Sequence, residues 1–184
     1  MTKSLHQKVF YKIKMDLNSH IRNIENFPKQ GILFKDITPL LAAPQAFQYA
    51  VDKMQHLIKD DEIDVIAAVE SRGFIFAAPI ALEMKKPLVL LRKPGKLPFR
   101  TYSESYALEY GNAELHMHID SVRPGQRVAL VDDVLATGGT MKASANLIQK
   151  NGGVVVSCCF LIEIEFLQGR EKLSDIKCHS VLKF

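Results

Sequence analysis

Short apolar runs alternate along the chain with amphipathic stretches, and this alternation predicts a sheet flanked by helices. Residues 64–69 read DVIAAV, residues 87–91 read PLVLL, and residues 127–131 read RVALV. Uninterrupted runs of this length are typical of strands that are buried on both faces of a parallel sheet. A further apolar run covers residues 154–162. We therefore expect an α/β fold, in which residues 127–162 form one strand–helix–strand unit.

Helical spacing of apolar residues predicts three helices: one before the first of these strands, over residues 44–59, and two between strands, over 74–85 and 138–152. The last of them ends in glycines, which commonly terminate helices. The other predicted elements are a short helix over 16–23, an irregular segment over 26–44, a long loop over 92–105 and a half-exposed strand over 114–119.

Composition narrows the class of protein. The chain has 184 residues, of which 47% are hydrophobic and 24% charged, as expected for one ordinary folded domain. No apolar run approaches the ~20 residues that a membrane-spanning helix needs, and residues 1–14 do not resemble a secretory leader. The three cysteines lack metal-ligand spacing and suit a reducing compartment. We expect a cytoplasmic protein without a membrane partner.

The net charge of +4 comes from the start of the chain. Four of the 24 basic residues are lysines within residues 1–14, so the basic residues of the remaining chain equal the 20 acidic ones. A basic tail alone is a weak indication of nucleic-acid binding, and we expect no nucleic-acid partner. We predict an N-terminal extension over residues 1–14 and a single working domain over residues 15–184.

The segment with the clearest chemistry follows the apolar strand at residues 127–131. Asp132 and Asp133 come first, and a glycine turn that opens a helix follows them. Such a turn presents backbone N–H groups at the positive end of a helix, and it therefore predicts a monophosphate site. The turn consists of Ala136, Thr137, Gly138, Gly139 and Thr140.

The two acids suit a different part of the same ligand. Carboxylates at the carboxyl end of a parallel strand can accept hydrogen bonds from a ribose diol, whose phosphate would then reach the glycine turn. The alternative is that Asp132 and Asp133 only cap the helix. The contiguous order of apolar strand, acid pair and glycine turn favours the ligand site.

This order of features resembles the fingerprint of the type I phosphoribosyltransferases, which bind 5-phosphoribosyl-1-pyrophosphate (PRPP). Further segments are similar to the adenine phosphoribosyltransferases within that family, and the resemblance runs from about Met15 to the end of the chain. These segments are FPKQGILFKDITPLL (27–41), ESRGF (70–74), LRKPGKLP (91–98), YALEYG (106–111) and GREKL (169–173). The resemblance implies a Rossmann-like parallel sheet flanked by helices, with a small N-terminal hood.

The resemblance also implies roles for two groups of cationic or polar residues. Ser71 and Arg72 would bind the pyrophosphate of PRPP, with Arg72 also near the base and counted as catalytic. Arg92, Lys93 and Lys96 would reach the pyrophosphate as a second cationic set. The alternatives are a surface salt bridge for Arg72 and a solvated basic loop for the second set.

The base-binding residues rest on the resemblance as well. Glu109 would lie near the imidazole edge of adenine and handle the proton that the attacking nitrogen loses, with the adjacent Tyr110 in the PRPP site. From the sequence alone, Glu109 could equally pair with Lys93 or Lys96. Backbone groups around Leu33 in the hood would read the amino edge of adenine.

The implied reaction converts adenine and PRPP to AMP and pyrophosphate. We expect Mg²⁺ to assist, bound mainly through PRPP and water rather than directly by protein ligands. We also expect a homodimer, because the family's active site borrows cationic residues from a neighbouring subunit. The competing hypotheses are a xanthine- or hypoxanthine-type phosphoribosyltransferase and a PRPP-sensing regulator that acts on nucleic acid.

Overall fold

The chain divides after Ala50 into a small first unit and a larger second unit. A computed structural model describes residues 15–108 and 111–184. The predicted N-terminal extension, residues 1–14, lies outside the described residues. The boundary at residue 15 and the single domain over 15–184 therefore stay predictions.

The first unit is built on an antiparallel pair of strands, β1 (Arg22–Glu25) and β2 (Leu33–Asp36). The Arg22 guanidinium donates to the Asp36 carboxylate across this pair, at 3.0 Å. Two short helices flank the pair in sequence: a 3₁₀ helix (Leu17–His20) before it and α1 (Thr38–Ala42) after it. The longer α2 (Pro44–Ile58) follows, and the boundary between the two units falls within it, after Ala50.

The second unit contains a five-stranded parallel sheet, which confirms the predicted fold class. Its strands occur in the order β4-β3-β7-β8-β9, and every neighbouring pair is parallel. The strands are β3 (Val65–Val69), β4 (Leu88–Leu91), β7 (Arg127–Leu135), β8 (Val154–Glu163) and β9 (Lys177–Lys183). The connecting helices are α3 (Gly73–Met84) and α4 (Gly139–Lys150).

The other elements of the second unit lie between or after these strands. An antiparallel hairpin of β5 (Thr101–Leu108) and β6 (Gly111–His118) separates β4 from β7 in sequence. Two 3₁₀ helices, Glu165–Leu167 and Gly169–Leu173, connect β8 to β9. No helix in the described part of the chain is long and apolar enough to cross a membrane.

Three predicted boundaries are wrong. The helix predicted over 16–23 is a 3₁₀ turn that gives way to β1, and the segment predicted as irregular over 26–44 contains β2 and α1. The loop predicted over 92–105 ends at Thr101, where β5 begins. β1, β2 and the start of β5 are extended because each pairs with the other strand of its own hairpin, which the local sequence does not signal.

The order of the strands fixes where a ligand can bind. The chain leaves β3 through α3 to reach β4 on one side, and it leaves β7 through α4 to reach β8 on the other side. The direction of the connections therefore reverses between β3 and β7. In open parallel sheets, ligands bind outside the carboxyl ends of the strands at this switch point.

Candidate active site

Asp132 and Asp133 lie at the switch point itself. The pairing of β7 with β3 ends at Val131, opposite Ala68, whereas the pairing with β8 continues through Asp132 to Leu135. The acids are therefore part of β7 and lie near its carboxyl end, as predicted from the sequence. Because the pairing with β3 ends before the two acids, this stretch of β7 is paired with a strand on one side alone, that of β8.

Arg72 fills part of that gap from the start of α3. Its Nε lies 2.8 Å from Oδ2 of Asp133, whose side chain is only 4% exposed while that of Arg72 is 42% exposed. Arg72 therefore forms an ion pair, as the alternative interpretation expected. Its partner, however, is the buried Asp133 and not an acid on the surface. The exposed part of the guanidinium can still meet an anionic ligand.

Gly73 lets the start of α3 approach the acid strand closely. A Cβ at this position would lie 2.9 Å from Oδ1 of Asp132 and 2.9 Å from the Val131 carbonyl oxygen. Real Cβ atoms do not occupy such positions. The glycine after Arg72 is therefore required for the arginine to stand against Asp133.

The two carboxyls are held in an environment that resists full ionisation. Burial and the neighbouring Asp133 raise the pKa of Asp132 well above its ordinary value. Burial also raises the pKa of Asp133, although Arg72 opposes this shift. A ligand that donates hydrogen bonds to these oxygens, such as a vicinal diol, would stabilise their charged form.

The predicted phosphate turn leads directly from β7 into α4. Gly138 has a φ of +76° and precedes Gly139, the first residue of the helix. Backbone N–H groups at the start of a 12-residue helix favour an anion. The structure thus places Ala136, Thr137, Gly138, Gly139 and Thr140 together as one turn beside the two acids.

The β5–β6 hairpin is attached to the same helix. The Glu104 carboxylate accepts a 3.0 Å hydrogen bond from Asn146 and forms an ion pair with Lys150, both on α4. Nearer the phosphate turn, the Thr140 hydroxyl donates to the Tyr106 hydroxyl at 3.4 Å. The hairpin therefore lies along α4, with Tyr106 at the glycine turn.

The second cationic set is organised by an acid to which sequence reasoning assigned no role. Glu70 follows β3 and accepts hydrogen bonds from Nε of Arg92 and from the backbone N–H of Lys93, both at 3.1 Å. The register that pairs Val69 with Leu91 brings these residues together. The sequence does carry a signal for this pair, because Glu70 and Arg92 each directly follow an apolar run. Neighbouring parallel strands end at the same edge of a sheet, so residues that follow two such strands can meet.

Arg92 also shapes the loop that follows it. Its Nη1 donates to the carbonyl oxygen of Lys96 at 3.0 Å, which closes the loop over residues 92–96. Lys93 and Lys96 are exposed on this loop, and Ser71 is exposed beside Arg72. Their predicted contacts with a pyrophosphate stay predictions.

The base-binding residues are described only in part. Leu33 is exposed at the start of β2 in the first unit. Glu109 and Tyr110 lie outside the described residues, so their predicted roles stay predictions.

Asp132 and Asp133 suit a metal ion that arrives bound to a ligand better than a metal ion that is bound by protein side chains alone. Within residues 15–108 and 111–184, no group of three or more His, Cys, Asp or Glu side chains could hold a metal ion. Asp132 and Asp133 nevertheless present two carboxyls against one arginine. They fit a hydrated Mg²⁺ whose direct ligands are water and oxygens of a phosphorylated substrate, and which the acids face without binding it directly.

Comparison with known proteins shows that nearly the whole chain is similar to phosphoribosyltransferases. The sequence matches the phosphoribosyl transferase domain family over residues 36–183. It is 51% identical over 170 residues to an adenine phosphoribosyltransferase of Kosmotoga olearia, which covers 92% of this chain and all of that relative.

Solved structures agree with the sequence comparison. The adenine phosphoribosyltransferase of Thermoanaerobacter pseudethanolicus superposes with a TM-score of 0.89 at 49% identity, covering 91% of this chain and 98% of the other. The Saccharomyces cerevisiae enzyme, solved with adenine and an imino-altritol bisphosphate, gives a TM-score of 0.84 at 32% identity, covering 90% and 96%.

We expect Asp132→Asn to raise the free energy of unfolding at neutral pH. Because the folded state raises the pKa of Asp132, it binds more protons than the unfolded state, and stability falls as the pH rises from about 4. Asparagine does not titrate, so the gain should grow from about pH 4 towards the raised pKa. Urea unfolding at several pH values measures it.

Asp64→Asn is the matched control with the opposite sign. Hydrogen bonds from Arg127 lower the pKa of Asp64 at the other end of β7. This control should therefore lose stability at neutral pH, and the loss should vanish below the lowered pKa. A loss of stability for Asp132→Asn at pH 7 would contradict the expectation.

Proposed function

The chain belongs to the adenine phosphoribosyltransferases of the phosphoribosyl transferase domain family, and we propose that it transfers the phosphoribosyl group of PRPP to adenine in purine salvage. The products are AMP and pyrophosphate. The observation that carries the proposal is the acid pair of Asp132 and Asp133, placed against Arg72 at the switch point and followed at once by the phosphate turn. Relatives that match over most of the chain carry the same activity in their names.

The ribose 5-phosphate part of PRPP binds along residues 132–140. The Asp132 and Asp133 carboxylates accept hydrogen bonds from the ribose hydroxyls, while backbone N–H groups of the turn at 136–140 bind the 5′-phosphate. Thr137 and Thr140 add hydroxyl donors. Because all of these residues belong to one short segment, the chain itself sets the distance between the two halves of the site.

The pyrophosphate lies on the cationic side of the site. Ser71 and the exposed part of Arg72 bind it from the start of α3, and Arg92, Lys93 and Lys96 approach from the end of β4. Displacement at the anomeric carbon passes through an oxocarbenium-like state, so stabilising the charge of the departing pyrophosphate lowers the barrier. Mg²⁺, when bound, supplies further positive charge to the pyrophosphate and ribose oxygens.

The family resemblance supplies the residues that bind adenine. Backbone groups around Leu33 read its amino edge, and Glu109 accepts the proton that leaves the attacking ring nitrogen. The yeast relative that was solved with adenine supports adenine as the base. We place the reaction in the cytoplasm, which is supported by the three free cysteines of the described chain.

We expect Asp132→Asn and Asp133→Asn each to lower phosphoribosyl transfer by about a hundredfold, as misplacement of a reacting group can do. The acids orient the ribose and contribute little to core packing, so the fold should persist. PRPP binding and circular dichroism, measured on each variant, separate these effects. Near-wild-type activity in both variants would exclude the diol-binding role.

The base preference separates adenine transfer from the xanthine- or hypoxanthine-type alternative. A site that hydrogen-bonds an exocyclic amino group leaves its own acceptor unpaired with a 6-oxo purine, at a cost of roughly 1–3 kcal/mol per lost partner. Pyrophosphate release should therefore be rapid with adenine and at least about tenfold slower with hypoxanthine, guanine or xanthine. Comparable rates with hypoxanthine would overturn the assignment, and PRPP binding without release would favour the regulator.

We also propose that the active form is a homodimer that meets through α3 and β4. Leu82 on α3 is 79% exposed, and Leu88 and Leu90 are exposed on β4, at the edge of the sheet. Arg92 and Lys93 directly follow that edge strand. A second copy packed here would cover the apolar side chains and stand beside the cationic loop.

Sedimentation velocity at micromolar concentration should give a dimer for the wild type and a shift towards monomer for Leu82→Lys. Phe166→Lys is the matched control, because Phe166 is also 79% exposed but lies on the Glu165–Leu167 3₁₀ helix. It should leave the dimer intact. A fully active monomeric wild type would contradict the proposal.

A further inference from the structure

An ion pair between Arg170 and the buried Glu163 lies next to the phosphate turn, and the proposed chemistry does not use it. Arg170 donates to both carboxylate oxygens of Glu163, from Nε at 2.5 Å and from Nη2 at 2.7 Å. It also donates to the carbonyl oxygen of Cys178 at 2.7 Å and to the Ser180 hydroxyl at 3.1 Å. Four donor contacts from one guanidinium fix the position of its backbone more firmly than a single ion pair does.

Glu163 is a well-defined anchor for this arginine. It is the last residue of β8, its side chain is 6% exposed, and it is in register with Leu135, the last residue of β7. Hydrogen bonds from Arg170 and from Ser180 lower the pKa of Glu163, so the pair is ionised at neutral pH. The arginine is therefore tied to the strand end that lies beside the start of the phosphate turn.

Gly169, next to Arg170, touches the phosphate turn directly. A Cβ on Gly169 would collide with the carbonyl oxygen of Ala136 and would lie 3.1 Å from the backbone nitrogen of Gly138. In the reverse direction, a Cβ on Gly138 would collide with the carbonyl oxygen of Gly169. The two backbones are in contact without an intervening side chain, so a displacement of either must move the other.

We propose that Glu163 and Arg170 are positioning residues for the 5′-phosphate turn, and that they act through the backbone of Gly169. This inference rests on the proposed function, since it assigns the turn to the 5′-phosphate of PRPP and AMP. The pair holds Gly169 against Ala136 and Gly138, and this contact aims the N–H groups of the turn at the ligand. Neither side chain touches the substrate.

If Glu163 and Arg170 only stabilise the fold, their variants should weaken the binding of every ligand or of none. If they position the phosphate turn, the variants should weaken only ligands that bind to this turn. Calorimetric titration with AMP probes the phosphate turn, and titration with magnesium pyrophosphate probes the cationic side of the site. We expect Gly169→Ala and Arg170→Lys to weaken AMP binding by about tenfold to a hundredfold, the range for a lost hydrogen bond to a charged group. Pyrophosphate binding should stay within about twofold, and the KM for PRPP should rise while the KM for adenine is kept.

Each variant has a matched control at the opposite end of the sheet. Gly153 follows the C-terminal end of α4, and Gly153→Ala also introduces a crowded Cβ, at 2.7 Å from the Ile148 side chain and 2.8 Å from the Val122 side chain. Arg127→Lys disturbs an arginine that contacts both oxygens of Asp64, at 3.3 and 3.4 Å, where β7 begins. These two variants should bind AMP as the wild type does, even where they lower the temperature of unfolding.

The outcomes separate this inference from the proposed function. Wild-type protein that binds AMP, together with Gly169→Ala and Arg170→Lys variants that bind it equally well, would overturn the inference alone. Parallel losses of AMP and pyrophosphate affinity would overturn it too, because they indicate a general structural role. Wild-type protein that binds neither AMP nor ribose 5-phosphate would overturn the proposed function and this inference with it. Gly169→Ala keeps the ion pair intact and carries the test should Arg170→Lys fail to fold.

Discussion

The placement of two adjacent carboxyls at the carboxyl end of a buried strand governs the rest of the active site. Asp133 is almost fully removed from water, and an isolated buried carboxylate is costly unless a cation or hydrogen-bond donors face it. Arg72 provides that cation, and it reaches Asp133 only because Gly73 lets α3 begin against the backbone of Val131. The parallel pairing of β3 with β7 brings these segments together although about 60 residues separate them.

The same strand continues into the phosphate turn, so the proposed ribose and phosphate sites share one backbone. The turn is held from two directions: α4 begins at Gly139, and the backbone of Gly169 packs against Gly138 and Ala136. Close packing of backbone on backbone leaves no soft side chain to absorb a displacement. Such rigidity suits a site in which N–H groups must meet an anion with fixed geometry.

The cationic side of the site is arranged differently from the phosphate side. Arg92 is anchored by Glu70 but remains at the edge of the sheet, on a loop whose lysines are exposed. Hydrogen bonds from Arg92 and Lys93 lower the pKa of Glu70, so it stays charged at neutral pH and holds the arginine in place. The contrast between a rigid phosphate turn and an exposed basic loop fits a substrate whose ribose phosphate stays bound while its pyrophosphate leaves.

The amino-acid sequence by itself determined the elements whose signal is local. Apolar runs without polar interruption identified β3, β4, β7 and β8, and the order of acids and glycines over residues 132–140 predicted a ligand site in that segment. Family motifs added the residues of the cationic loop. The sequence did not reveal β2 or the start of β5, because the strands that pair with them impose their extended conformation.

The tertiary structure alone decided which distant residues meet. That Arg72 faces Asp133, that Glu70 holds Arg92, and that Gly169 supports Gly138 depends on strand order and register rather than on spacing along the chain. Gly169 and Arg170 lie in a motif that the sequence offered only as a family resemblance, with no role attached. Local patterns record how a segment buries its own side chains, whereas the partners of a strand end are set by the sheet that assembles around it.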